Sequence, residues 1–225
     1  MKILKYWFLK WRWKVAQAVE IRWWKNYLRD QKPTEYLIKK QSYWQRVLNQ
    51  INLQVKEEDF LLDAGCGPAG IFINFDQNQV HALDPLLDQY ETELSFFKRE
   101  DFPWVQFHKC QLEEFDTRGQ YDKVFCLNAI NHVENIQIGF DRLAALVKEN
   151  GTLVVSIDAH NYWGFKHLFR LLPGDILHPH QYDIREYREM LETRGMQILD
   201  CINLKQQFFF DYYILTAKKI NHGPD

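Results

Sequence analysis

Long apolar runs are missing from this 225-residue chain: nothing approaches the roughly 18 uninterrupted apolar residues of a membrane-crossing helix, so no such helix is expected. Cysteine is scarce. Cys66, Cys110, Cys126 and Cys201 lie far apart with no C-x-x-C pair, which argues against a zinc ribbon and a disulfide framework and for a reducing, cytoplasmic setting. The opening MKILKYWFLKWRWK interrupts its apolar residues with Lys and Arg and has no small-residue cleavage site, so a secretory signal is not expected. No marked signal of oligomeric state is present.

What the chain does have is enough apolar residue, 46%, for the core of one domain with an appendage. Short apolar runs alternate with helical patterns, the mark of an α/β sheet. Strands are expected at Phe60 to Leu62, Val80 to Leu83, Trp104 to His108, Tyr121 to Leu127 and Gly151 to Ile157. Asp183, with Glu186 three residues on, predicts a capped helix with Tyr187, Met190 and Leu191 on its apolar face and Gly195 as its stop. Met196 to Leu204 and Phe208 to Ala217 read as two closing strands joined at Lys205 to Gln207. The expected division is a helical extension over 1–55, a main domain over 56–219 and a tail over 220–225.

The central motif is LLDAGCGPAG, residues 61–70, followed at Asp84 by a carboxylate closing the run VHALD. A strand ending in glycines and then a helix exposes backbone N–H groups, and an acid about 20 residues on can accept two ribose hydroxyls. Gly65, Gly67 and Gly70 are assigned separate duties: a tight turn, room for a ligand, and close helix–strand contact. The same spacing suits a dinucleotide-binding unit, so an NAD(P)-dependent oxidoreductase is the alternative. Asp63 separates the two, because a carboxylate there would repel a pyrophosphate and attract an ammonium.

With Asp63, the glycine segment and Asp84 together, the chain resembles the class I S-adenosylmethionine-dependent methyltransferases. That resemblance implies a doubly wound, Rossmann-like, mostly parallel seven-stranded sheet with a C-terminal antiparallel hairpin, and S-adenosyl-L-methionine as cofactor. It implies that Asp63, Gly65 and Gly67 hold the methionine part, Asp84 the ribose, Gln111 and the apolar wall Leu112 the adenine, and Asn128 the methionine end. Glu113 is a second candidate beside the adenine. The family's enzymes that methylate amino groups of nucleic acids carry an Asn/Asp-Pro-Pro-aromatic tetrapeptide after the fourth strand; here Asn128-Ala129-Ile130-Asn131 stands instead. A small-molecule or lipid-like acceptor, methylated on oxygen or nitrogen, is therefore expected, and nucleic acid is not.

Methyl transfer from a sulfonium needs donor and acceptor in line and water excluded, and a base only for some acceptors. Histidine titrates in the right range. His132, at the family's His-Val position, and His178 and His180 in DILHPHQYD are the candidate catalytic residues, with His160 a further one. His81 and His108 are expected to be structural, and His222 to lie in the tail. His178-Pro179-His180 could begin a metal site, but no further ligands stand nearby in sequence, so no metal is expected. Tyr162, Trp163, Phe165, Phe169 and Tyr182 could line an apolar acceptor pocket or cover the sheet edge.

Charge is unevenly spread. Residues 1–50 hold 12 Lys or Arg against 3 Asp or Glu, a formal +9, which leaves about −11 for the remainder of a chain of net charge −2. Six of the eight tryptophans lie in the same segment. Leu4, Phe8, Trp11, Val15 and Ala18, then Ile21, Trp24 and Leu28, recur at helical spacing, Pro33 breaks the run, and Glu35 to Ile51 reads as a second helix. Such helices can form a lid over the cofactor, or lie on an anionic membrane surface through residues 1–30, or both. A non-catalytic methyltransferase-fold scaffold that works through these helices is the third reading.

Overall fold

The computed structural model describes residues 17–160, 182–205 and 210–220. Its strands are β1 (Phe60–Ala64), β2 (Gln79–Leu83), β3 (Val105–His108), β4 (Tyr121–Cys126), β5 (Val147–His160), β6 (Met196–Lys205) and β7 (Phe210–Lys219). They form a seven-stranded sheet in the order β3-β2-β1-β4-β5-β7-β6. The pairings among β1 to β5 are parallel, and β7 runs antiparallel between β5 and β6. The expected doubly wound sheet with a closing hairpin is therefore present.

Both faces of the sheet are covered, which is why its strands read as nearly continuous apolar runs. Alternation along each strand splits the core in two. Leu61, Phe125, Val154 and Ile214 face one cluster, whereas Leu62, Val124, Val155 and Leu215 face the other. Over the first face lie α1 (residues 17–28), α2 (Pro33–Gln50) and α3 (Leu87–Glu93); over the second lie α4 (Ile136–Leu146) and α5 (Ile184–Glu192).

The N-terminal helices follow the sequence pattern. Ile21 is buried and Trp24 and Leu28 pack partly buried on the same cluster, Pro33 opens α2, and Tyr36, Trp44, Val47 and Leu48 form its buried stripe. Leu4, Phe8, Trp11 and Val15 lie outside the described residues. Asp183 accepts from the N–H groups of Arg185 and Glu186 while Glu186 accepts from the Asp183 N–H, completing the capping box, and Tyr187, Met190 and Leu191 are buried.

Two expectations need correction. No α-helix follows the glycine segment; the chain makes two 3-10 turns, Gly67–Ala69 and Ile71–Asn74, split by the extended Gly70. Second, β5 is twice as long as its apolar run. It starts at Val147 directly after α4, slips register between the pairs Tyr121 with Val147 and Lys123 with Thr152, and accommodates the extra residues through Asn150 at φ 63.

Candidate active site

At the carboxyl ends of the parallel strands lies a cavity of about 600 Å³. Its floor is the β1–β2 junction. The Gly65 and Cys66 N–H groups both donate to the Leu83 carbonyl, at 2.8 and 3.0 Å, and the Gly67 N–H donates to Asp84 Oδ2 at 3.0 Å. The turn's amides are thus consumed inside the protein, and the expected exposed N–H cradle does not form. The acidic residues Asp63 and Asp84 line the cavity in its place.

The glycines explain themselves through their missing Cβ atoms. At Gly65, with φ 73, a Cβ would stand 2.2 Å from Ala129 Cβ, so this turn and the segment after β4 touch backbone to side chain. At Gly67, with φ 55, the nearest atom to a Cβ would be Trp24 Cζ2 at 3.9 Å; the space above it is cavity. Gly70 does not serve helix–strand contact as expected. A Cβ there would lie 2.3 Å from Asp63 Oδ2 and 2.4 Å from the Cys66 carbonyl, so its bareness makes room for a carboxylate.

Asp63 leaves β1 toward the N-terminal helices, buried, with Oδ2 accepting from the Phe72 N–H at 3.1 Å. Burial pushes its pKa to about 7 against the opposing pull of the Phe72 and Ile71 amides and of Lys40. Asp84, also buried, accepts from Leu86 N–H at 2.8 Å through Oδ1. It too rises to about 7, through burial first and then the nearby Glu20, with the Leu86 and Gly67 amides opposing. Glu20 comes from α1, accepts from the Tyr90 hydroxyl at 2.8 Å, and is itself raised chiefly by burial.

α2 supplies the opposite wall. The Trp44 indole donates to the Ala69 carbonyl at 3.0 Å, and Gln41 donates to the Ile73 carbonyl at 3.1 Å, fastening the helix to the 3-10 turns. Lys40 lies with Nζ 4.4 Å from the Trp44 ring centre, and burial lowers its pKa to about 8 despite Asp63.

The structure brings Asp63, Gly65, Gly67, Gly70 and Asp84 to this cavity, together with Gln111, Leu112, Glu113, Asn128 and His132. Asn128 takes φ 57, and its N–H donates to Ser156 Oγ at 2.7 Å, which aims the segment after β4 at the cavity. His132 is solvent-exposed at that edge. His178 and His180 lie outside the described residues, as do Tyr162, Trp163, Phe165, Phe169 and His222, and nothing is described of the His160 side chain. Tyr182 packs edge-on to Tyr187 at 5.8 Å and is not a cavity wall. His81 and His108 are structural as expected: their rings are 4.6 Å apart, and His81 Nδ1 meets the Tyr121 hydroxyl at 2.8 Å.

Sequence reasoning missed Glu20, Lys40 and Trp44 as individual site residues. Helical spacing tells which side of a helix is apolar, not what that side covers. The +9 charge and tryptophan content of the segment were the available signal, and α1 does form a wall of the cavity through Gln17, Val19, Glu20, Trp23 and Trp24.

Residues 62–153, from β1 into β5, match the family model of the methyltransferase domain. A ubiquinone biosynthesis O-methyltransferase of Rickettsia bellii is 27% identical over 173 residues, 72% of this chain and 71% of that protein. Among solved structures, the YcgJ protein of Bacillus subtilis superposes with a TM-score of 0.63 at 16% identity, over 78% of this chain and 97% of that one. The 1,6-didemethyltoxoflavin-N1-methyltransferase of Burkholderia thailandensis, solved with its substrate and S-adenosylhomocysteine, does so with a TM-score of 0.61 at 14% identity, over 96% and 90%. At those identities the structural likeness speaks for the fold alone. Sequence match and sheet order meet on the segment that builds the cavity floor, and together they support a class I S-adenosylmethionine-dependent methyltransferase domain there.

Proposed function

We propose that this cavity binds S-adenosylmethionine for transfer of its methyl group to a small, partly apolar acceptor, on oxygen in the first instance. The observation that carries the donor assignment is the use of the glycine-turn amides within the protein, beside the buried carboxyl groups of Asp63 and Asp84 and the half-buried one of Glu20. A pyrophosphate wants free N–H groups and a helix N-terminus; here it would meet acids and a 3-10 turn. A sulfonium, an ammonium and a ribose diol instead all favour acceptors.

Asp63 and the open face above Gly67 are assigned to the methionine end, together with Asn128. Asp84 is assigned to the ribose through the lone pairs its two amide bonds leave, and Gln111 and Leu112 to the adenine. Once bound, S-adenosylmethionine supplies an electrophilic methyl group on a charged sulfur. The chain's own contribution is alignment and exclusion of water, with Trp23, Trp24 and Val19 closing the cavity from α1. His132 is assigned the acceptor proton, from a phenolic hydroxyl or an ammonium.

The oxygen acceptor rests on the name of the Rickettsia relative, and nitrogen is the second reading because the Burkholderia neighbour is an N1-methyltransferase. Labelled methyl transfer from S-adenosylmethionine to a catechol with an alkyl tail, compared with secondary amines, decides between them. Labelling of the phenol, reduced by His132→Ala, is the expected result; labelling of amines alone would overturn the oxygen assignment.

A partly apolar acceptor also fits the exposed rim of α1, where Val19 and Trp23 border the cavity and, with Tyr27, stand exposed among the exposed Arg22, Lys25 and Arg29. This surface suits peripheral contact with an anionic, cytoplasmic leaflet. Full-length protein should sediment with anionic vesicles at low salt and be released at high salt; equal sedimentation by a Trp23→Ser, Arg22→Ser, Lys25→Ser variant would remove the proposal.

A further inference from the structure

We propose that Glu20 is a second donor-binding residue: together with Asp84 it reads the two ribose hydroxyls, one carboxylate accepting from each, and so joins the first described helix to the bound donor. The proposal rests on the S-adenosylmethionine reading of the cavity and adds to it a contact from outside the family's glycine motif.

The geometry begins at Asp84. Its Oδ2 already accepts from Gly67 and its Oδ1 from Leu86, so it enters donor binding with half its acceptor capacity spent. Glu20 reaches the same region from α1. The Tyr90 hydroxyl pins it at 2.8 Å, and Tyr90 is fully buried on α3, so the anchor cannot swing away. One turn along α1, Trp24 comes to within 3.9 Å of where a Cβ of Gly67 would stand. Glu20, Trp24, Gly67 and Asp84 thus form one continuous patch of cavity wall.

A pair of acids so placed is unfavourable without a partner. Burial raises the proton affinity of both groups, and the charge of Glu20 raises that of Asp84 further, while hydrogen bonds from Tyr90 and Trp24 oppose the rise at Glu20. The other ionisable groups around them are Tyr90 on α3, Asp63 on β1 and Cys66 in the turn; Lys40 on α2 acts on Asp63. A ligand that presents two adjacent hydrogen-bond donors relieves this arrangement, and a cis-diol presents two. A carboxylate anchored by Tyr90 beside Asp84 would have no such use if Asp84 alone held the ribose.

Calorimetry on the full-length protein tests this with three ligands: S-adenosylhomocysteine, its 2′-deoxy form and its 3′-deoxy form. Glu20→Gln, which keeps the shape and the Tyr90 bond, is expected to weaken S-adenosylhomocysteine about tenfold or more. One of the two deoxy ligands should then bind wild type and variant alike, because the hydroxyl that Glu20 accepts is gone. Should Glu20→Gln fail to fold, Tyr90→Phe releases the same carboxylate and is expected to show the same ligand pattern. An equal loss for all three ligands, or no loss for any, overturns the proposal. Failure of wild type to bind S-adenosylhomocysteine at all would instead bring down the donor reading, and this proposal with it.

Discussion

Gly65→Ala should damage both the stability of this protein and its grip on the donor. Two costs combine. Alanine at φ 73 sits in the left-handed region, at about 1–2 kcal/mol. Its Cβ would also stand 2.2 Å from Ala129 Cβ, and relieving that overlap by moving backbone costs about 1–3 kcal/mol. The sum, about 2–5 kcal/mol, is a large share of the roughly 5–15 kcal/mol that holds a domain folded. Because the shift parts the β1–β2 turn from the segment carrying Asn128, S-adenosylhomocysteine affinity should fall as well. Urea unfolding and calorimetry read the two effects. Adding Ala129→Gly should restore the overlap portion and leave the backbone portion. A loss below about 0.5 kcal/mol for Gly65→Ala, the range of an inconsequential surface change, would refute the reasoning. So would a double variant no more stable than the single one.

Three other outcomes follow from the same geometry. Asp63 and Asp84, raised from an ordinary 3.8 to about 7, hold protons in the folded ligand-free protein that they lack when unfolded. Stability from this source is full below pH 3.8 and is lost as pH rises through 7, so Tm should fall from pH 5 to 8 more steeply in wild type than in Asp84→Asn, and equal slopes would contradict it. The cationic donor favours the ionised acids, so its affinity for wild type should rise across the same window; calorimetry at pH 6 and pH 8 checks this, and a flat profile counts against it. Asp183→Ala removes the capping box of α5 and should cost about 1 kcal/mol in urea unfolding while leaving S-adenosylhomocysteine affinity unchanged, since α5 is no part of the cavity wall.

Much of this architecture is written locally. Strands buried on both faces announce themselves as short apolar runs, and Asp183 with Glu186 specifies a helix start within four residues. Asp63, Gly65, Gly67 and Asp84 could be assembled from sequence because adjacent parallel strands place their carboxyl ends together. What local pattern could not supply was the direction of the amides. Whether a glycine turn offers its N–H groups to a ligand or spends them on Leu83 and Asp84 depends on contacts between strands. The same holds for the missing helix after Gly70, where residues 71–78 must return the chain to β2 and Gly70 stays extended beside Asp63. Glu20 meets Tyr90 across 70 residues of sequence, and Trp44 meets Ala69 across 25; neither partner can be named from helical spacing.

The central claim is that a cavity lined with carboxylates, its turn amides already bonded, grips a cationic amino-acid nucleoside. Competitive calorimetry with S-adenosylhomocysteine and NAD, on wild type and Asp84→Ala, tests it most directly. The account expects saturable binding of S-adenosylhomocysteine, weakened by about 1.5–3 kcal/mol in Asp84→Ala, and no heat from NAD. Binding of NAD in preference to S-adenosylhomocysteine, or an Asp84→Ala variant with undiminished affinity, would contradict it.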